Sequence, residues 1–165
     1  MLRHAFALEV KEGRTAEFRG NLGQIWTELT VFLDAKKMVN FSMWNVERMV
    51  FGYYETEDDF VFTDADKETV KAWEAQYGDA YRWISTPFEE MRLMYHDFGI
   101  VRESKELIRH RVFITKLVPG AEDEYKARHD VLVEARGGKV TEGPDSNFSI
   151  WNAGGYIFGY NEIDT

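Results

Sequence analysis

The chain has 165 residues, of which 44 % are hydrophobic and 15 % aromatic, enough for a packed core. Its formal net charge of −9 argues against nucleic acids and anionic membranes as partners and is compatible with a neutral small molecule. The absence of cysteine excludes disulfides and thiolate chemistry and fits a reducing compartment. We find no basic-then-apolar leader and no apolar run of about 20 residues, so we expect a cytoplasmic protein without a membrane span.

The first hundred residues alternate between strand and helix patterns. Period-two runs of apolar residues predict strands, and apolar residues at helical spacing predict two helices, the first with Thr15 as its N-cap. The order strand, helix, strand, strand, helix, strand is that of a ferredoxin-like α+β unit. The predicted strands are 3–10, 39–44, 49–56 and 90–100, and the second helix is 65–84.

The sequence repeats itself at a fixed offset of 107 residues without a gap. The segment 40–45 (NFSMWN) returns as 147–152 (NFSIWN), and 51–55 (FGYYE) returns as 158–162 (FGYNE). A period of this length is far too long for a solenoid repeat and has the size of a domain. We therefore predict two related domains, which are 1–101 and 109–165, joined by a polar linker over 102–108.

The second repeat is predicted to be shorter than the first. Residues 109–118 form a strand pattern, a helix follows over 121–137, and the strands 147–152 and 156–163 form a hairpin with a glycine-rich turn. No counterpart of helix 65–84 or of strand 90–100 follows. The second repeat is thus expected to be incomplete, with the order strand, helix, strand, strand.

One face of the helix 121–137 carries two residues that can transfer protons. Tyr125 and His129 stand at i and i+4, so their Cβ atoms lie within about 6 Å of each other and both can face one ligand. The equivalent residues of the first repeat are Phe18 and Leu22, which cannot transfer protons. The pair is a candidate for general acid–base chemistry, and a hydrogen-bonded core pair or an exposed pair are the alternatives.

Several segments resemble the L-rhamnose mutarotase family: Arg3-x-Ala5-Phe6, Ile25-Trp26-x-Glu28-Leu29, Asn40-Phe41-x-x-Trp44 and the surroundings of Trp73. The resemblance implies two ferredoxin-like repeats in a dimeric α+β-barrel arrangement. It also implies a cofactor-free exchange of sugar anomers by a Tyr-x-x-x-His pair on the first helix. That pair matches Tyr125 and His129, and the first repeat, which lacks it, is expected to be a degenerate partner.

The resemblance implies an isomerase that acts on a small neutral (deoxy)sugar without cofactor or metal, as a homodimer or an intramolecular pseudo-dimer. A non-catalytic sugar-binding or regulatory module and a monooxygenase- or cyclase-like reaction on the same barrel are the alternatives. We expect the sugar to contact aromatic and amide side chains. The candidates for these contacts are Trp151, Tyr160, Asn147 and Trp73. Because both repeats keep a tryptophan at the position of Trp151, a place in the sheet core is the alternative for that residue.

Overall fold

The computed structural model describes residues 1–164, and of Asp164 only the backbone. Thr165, the last residue of the predicted second repeat, lies outside them. The chain forms two compact units, Met1–Glu90 and Met91–Thr165, and each contains one four-stranded antiparallel sheet. This confirms the predicted α+β class with two ferredoxin-like repeats.

The first unit has its helices on one face of its sheet, whose strand order is β2-β3-β1-β4. Phe18 of the first helix packs against Val50, and Leu33 of the same helix packs against Tyr54. All residues of β3 are buried, as expected for a central strand. The elements are β1 (Leu2–Val10), α1 (Thr15–Ala35), β2 (Val39–Val46), β3 (Met49–Thr56), α2 (Asp64–Tyr77) and β4 (Tyr81–Trp83).

The prediction of one helix over 65–84 is wrong at its C-terminal end. The helix α2 stops at Tyr77, a single 3₁₀ turn follows, and the segment Tyr81–Trp83 pairs as a strand with β1. The helical spacing of Trp73, Tyr77 and Tyr81 predicts a longer helix, but Tyr81 packs against the core from a strand, together with Trp83. The predicted cap is also wrong, since Arg14 is the N-cap of α1 and Thr15 is its first residue.

The second unit contains a strand that precedes its repeat in the sequence. Residues 90–100 were predicted as the last strand of the first repeat, but the strand found there pairs with β7 and completes a sheet of order β5-β7-β8-β6. The structure therefore divides the chain after Glu90 and not at residue 101. The elements are β5 (Arg92–Asp97), β6 (Ile108–Lys116), α3 (Glu122–Arg136), β7 (Asp145–Ala153) and β8 (Tyr156–Asp164).

Two cationic side chains of the predicted linker 102–108 bind it to the second unit. Lys105 Nζ lies 2.7 and 2.8 Å from the two carboxylate oxygens of Glu162, which is fully buried. Arg102 donates to the hydroxyl of Ser146 and to the carbonyl oxygen of Pro144. The polar residues that predicted a linker therefore form ion pairs and hydrogen bonds with the second unit.

Each of the two sheets contains the same unusual cross-strand pair, a phenylalanine opposite a glycine. Phe6 lies opposite Gly52 and Phe113 lies opposite Gly159, and each phenylalanine ring covers its glycine. A Cβ atom on either glycine would come within 2.0 Å of the ring. Both glycines are therefore required by the close approach of an aromatic ring.

Replacing Gly52 with alanine should lower the free energy of unfolding by about 1–3 kcal/mol, since the added methyl group must displace the Phe6 ring. That ring packs against Phe41 and Trp83. Gly159→Ala is the matched control and should cost less, because Phe113 is 38 % exposed and its ring can move towards solvent. Urea unfolding of both variants checks this, and equal losses would contradict it.

Candidate functional site

Charged residues and a C-terminal glycine stabilise the two ends of helix α3. Acidic residues occupy its first turn, where the positive end of the helix dipole favours them. Arg136 in its last turn pairs with Asp97 of β5 at 3.0 Å, and Gly137 ends the helix with φ of 59°. These features hold one face of α3 over the second sheet.

The predicted pair lies on that face with its rings in contact. The ring centroids of Tyr125 and His129 are 4.3 Å apart. His129 Nδ1 lies 2.9 Å from the carbonyl oxygen of Tyr125. Because a carbonyl oxygen only accepts hydrogen bonds, Nδ1 must carry the proton. In the neutral imidazole this leaves the lone pair on Nε2, which can act as a base.

Both rings are half-buried, so the pair is neither in bulk water nor enclosed in the core. Tyr125 packs against the buried Met94 and Ile150. The ring of Tyr95 meets His129 edge-on, with the centroids 5.1 Å apart. Burial raises the pKa of the Tyr125 phenol, so this group holds its proton and is a donor at neutral pH.

Three of the predicted sugar contacts lie on the opposite face of the sheet. Ile150 and Ile157 belong to the cluster that meets Tyr125, so the alternation along the strands turns Trp151 and Tyr160 away from α3. Asn147 lies with them, since its Nδ2 donates to Glu162. All three predicted residues are at most 3 % exposed. The structure does not bring them together with Tyr125 and His129.

The fourth predicted contact, Trp73, lies on α2 in the first unit. Its Nε1 donates to Glu28 Oε2 at 2.9 Å, and its ring meets Phe32 edge-on. Trp73 therefore packs against α1 in the first unit and is not part of the surroundings of Tyr125 and His129 within the second unit.

The buried polar residues on the far face form a network around Glu162. Tyr160 donates to Glu162 at 2.7 Å and Asn147 at 2.9 Å, in addition to Lys105. Burial by itself would raise the pKa of the Glu162 carboxyl, but these donors hold it below its usual value. Within the second unit, Tyr160 and Asn147 thus position a buried carboxylate.

A cleft of about 330 Å³ opens on the α3 side of the second sheet. Its lining contains polar groups and two aromatic rings. Asn161 lies on the same sheet face as Ile157 and Gly159, because alternate residues of a strand point to the same side. The ring of Phe148, one of its walls, contacts Tyr95, which in turn contacts His129. Tyr125 and His129 do not line the cleft. Its lining residues are Asp97, Arg111, Phe113, Thr141, Asp145, Phe148 and Asn161.

Asn161 is the most informative residue of this cleft. It is 5 % exposed, and its Oδ1 has no hydrogen-bond partner among the residues that the structure describes. An unsatisfied buried acceptor costs roughly 1–3 kcal/mol, so it calls for an explanation. A ligand hydroxyl that donates to Oδ1 would supply one. The neighbouring charges are paired, with Arg111 3.1 Å from Asp145.

The internal repeat carries a sequence signal for Asn161. In the repeated segment FGYYE/FGYNE, Asn161 takes the place of Tyr54. An amide in place of an aromatic residue on a buried face is the same kind of exchange that singled out Tyr125 and His129. The neighbouring Tyr160, which is predicted instead, lies on the other face of the sheet.

Comparison with known proteins gives one finding on the family. Residues 3–96, more than half of the chain, match the model of the family described as L-rhamnose mutarotase. The match covers the repeat that carries Phe18 and Leu22 and not the repeat that carries the Tyr/His pair. No curated protein matches the chain. No helix within residues 1–164 is long and apolar enough to cross a membrane.

Proposed function

Since the chain belongs to the L-rhamnose mutarotase family, we propose that its second unit is an isomerase that exchanges the α and β anomers of a small neutral sugar. One observation carries this proposal. A half-buried phenol–imidazole pair and a cleft with an unsatisfied buried amide oxygen lie on the same face of one sheet.

The cleft suits a single sugar ring in size and chemistry. Its volume of about 330 Å³ lies at the lower end of small-molecule sites, which begin at roughly 300 Å³. Asn161 Oδ1 accepts a sugar hydroxyl, while Phe113 and Phe148 offer apolar surface to the C–H face of the ring. A neutral polyol can be bound by such hydrogen bonds and apolar contacts without an unpaired charged side chain.

The proton transfers follow from the states of the two rings. His129 Nε2 takes the proton from the anomeric hydroxyl, while the Tyr125 phenol, whose pKa is raised by burial, protonates the ring oxygen. The ring opens to an aldehyde, the C1–C2 bond rotates, and closure returns both protons. Tyr95 and Phe148 separate the cleft from His129, so the proposed proton transfer requires both rings to move.

Anomer exchange of L-rhamnose, followed by NMR saturation transfer, tests the proposal. The protein should accelerate the exchange, and Asn161→Leu should slow it about tenfold at low sugar concentration, the value of one hydrogen bond. Asn161→Leu should not lower the free energy of unfolding, since it removes an unsatisfied acceptor. Asn152→Leu is the control, because the Asn152 amide already donates to Tyr156. No acceleration by the wild-type protein would overturn the proposal.

A binding module without catalysis is the second candidate. The separation of His129 from the cleft by Tyr95 and Phe148 favours it. In that case L-rhamnose would shift the amide resonances of residues around Asn161, and Asn161→Leu would abolish the shifts, while anomer exchange would stay at the rate of the buffer.

A further inference from the structure

A second cavity, of about 180 Å³ and open to solvent on one side, lies between the helices and the sheet of the first unit. Apolar and aromatic side chains form most of its lining. Among them are Phe6, Phe18, Leu22, Phe41, Trp73 and Trp83. The cavity is therefore distinct from the polar cleft of the second unit in both position and composition.

The internal repeat places this cavity at a site equivalent to the proposed sugar site. Phe18 and Leu22 on α1 are the counterparts of Tyr125 and His129 on α3. The counterpart of Asn161 is Tyr54, which also lines the cavity. At each of these three positions, the first unit holds a less polar side chain. Equivalent positions of the two repeats thus carry side chains of different polarity.

Several polar atoms in the cavity lining already have partners among neighbouring groups. Trp73 Nε1 donates to Glu28, Trp83 Nε1 donates to Glu74, and Asn21 Nδ2 donates to the carbonyl oxygen of Tyr77. Displacing such bonds with sugar hydroxyls would gain little, because one hydrogen bond replaces another. The carboxylate of Glu89 also lines the cavity and disfavours anions. The mostly apolar lining therefore favours an uncharged apolar ligand over a sugar or an anion.

We propose that the first unit binds a small uncharged aromatic or aliphatic molecule of about one substituted ring. Its volume of about 180 Å³ is close to the roughly 150 Å³ of an enclosed apolar cavity that binds benzene, so a single ring fits into it. A space of this size lined by indole and phenyl rings offers a ring-shaped apolar ligand contact on several sides. The first repeat is then a receptor for an apolar ligand, independent of the sugar chemistry.

Titration with fluorobenzene, observed by ¹⁹F line broadening and by the indole N–H resonances of the protein, tests this proposal. The indole resonances of Trp73 and Trp83 should shift, because both rings line the cavity. Those of Trp26, which is 51 % exposed, and of Trp151 in the second unit should not shift. Absence of broadening, or equal shifts of all these indoles, would overturn the proposal without the need for any variant.

A blocking variant gives a second measurement. Leu22→Trp fills the cavity and should weaken fluorobenzene binding at least tenfold. Val31→Trp places the same side chain at a position of α1 that is 64 % exposed and should leave binding unchanged. Equal affinity of the two folded variants would contradict the assignment.

The sugar and apolar sites can be distinguished in the same experiment. L-rhamnose should not compete with fluorobenzene, and His129→Ala should bind fluorobenzene like the wild-type protein. Competition by the sugar would overturn the apolar assignment, whereas loss of anomer exchange in His129→Ala leaves it intact.

Discussion

Replacing His129 with alanine should slow the anomer exchange of L-rhamnose about 10²–10⁴-fold, the range for removal of a general base. The reason is geometric, since Nδ1 is committed to the Tyr125 carbonyl and Nε2 is the nitrogen left to take a proton. Tyr125→Phe removes the phenolic proton while it keeps the ring against Met94 and Ile150, and it should also slow exchange. Saturation-transfer NMR at constant protein concentration measures all three rates.

The first repeat supplies the matched control for this result. Leu22→Ala truncates the equivalent residue on α1 and should leave the exchange rate unchanged, because the proposed chemistry lies in the second unit. Thermal unfolding of each variant shows whether it is folded. A folded His129→Ala protein with the wild-type rate would remove the imidazole from the mechanism.

Lys105→Met should lower the free energy of unfolding by about 3–5 kcal/mol, the cost of breaking a buried ion pair from one side. Glu162 is fully buried and Lys105 is 19 % exposed at its side chain, so solvent screens their attraction little. Lys126→Met is the control, since Lys126 and Asp130 form a more exposed pair at i,i+4 worth about 0.3–0.5 kcal/mol. Urea unfolding compares the two losses.

The effect of pH on Lys105→Met follows from the lowered pKa of Glu162. A carboxyl whose pKa is lower in the folded state contributes stability above its ordinary value of 4.5 and loses it as the pH falls. The difference between the wild-type protein and Lys105→Met should therefore shrink as the pH falls below 4.5. A difference that persists unchanged in acid would show that the cation acts through packing and not through its charge.

The repeat at 107 residues was enough to predict the paired strands and α3, because local periodicity and self-similarity coincide there. It was not enough for β4 and β5, whose roles depend on long-range pairing. Tyr77, Tyr81 and Ile84 fit a helical spacing, but the pairing of Tyr81–Trp83 with β1 selects a strand. Residues 92–97 likewise join the sheet of the second unit because they pair with the edge of β7.

The site was predictable where it depends on one helix and not where it depends on the sheet. The spacing of Tyr125 and His129 places both on one face of α3, and their rings are in contact. Alternation predicts that Tyr160 and Asn161 face opposite ways, but it does not tell which of them the helix covers. Packing of Ile157 under Tyr125 decides this, and it puts Asn161 in the cleft.

The pairing of β5 has a practical consequence for anyone who dissects this chain. A shortened version drawn from the sequence repeat, beginning at residue 102, would discard β5 and leave one side of β7 with bare backbone donors and acceptors. Such an edge invites strand addition between molecules and precipitation. The second half should be cloned from Met91, where the structure divides the chain.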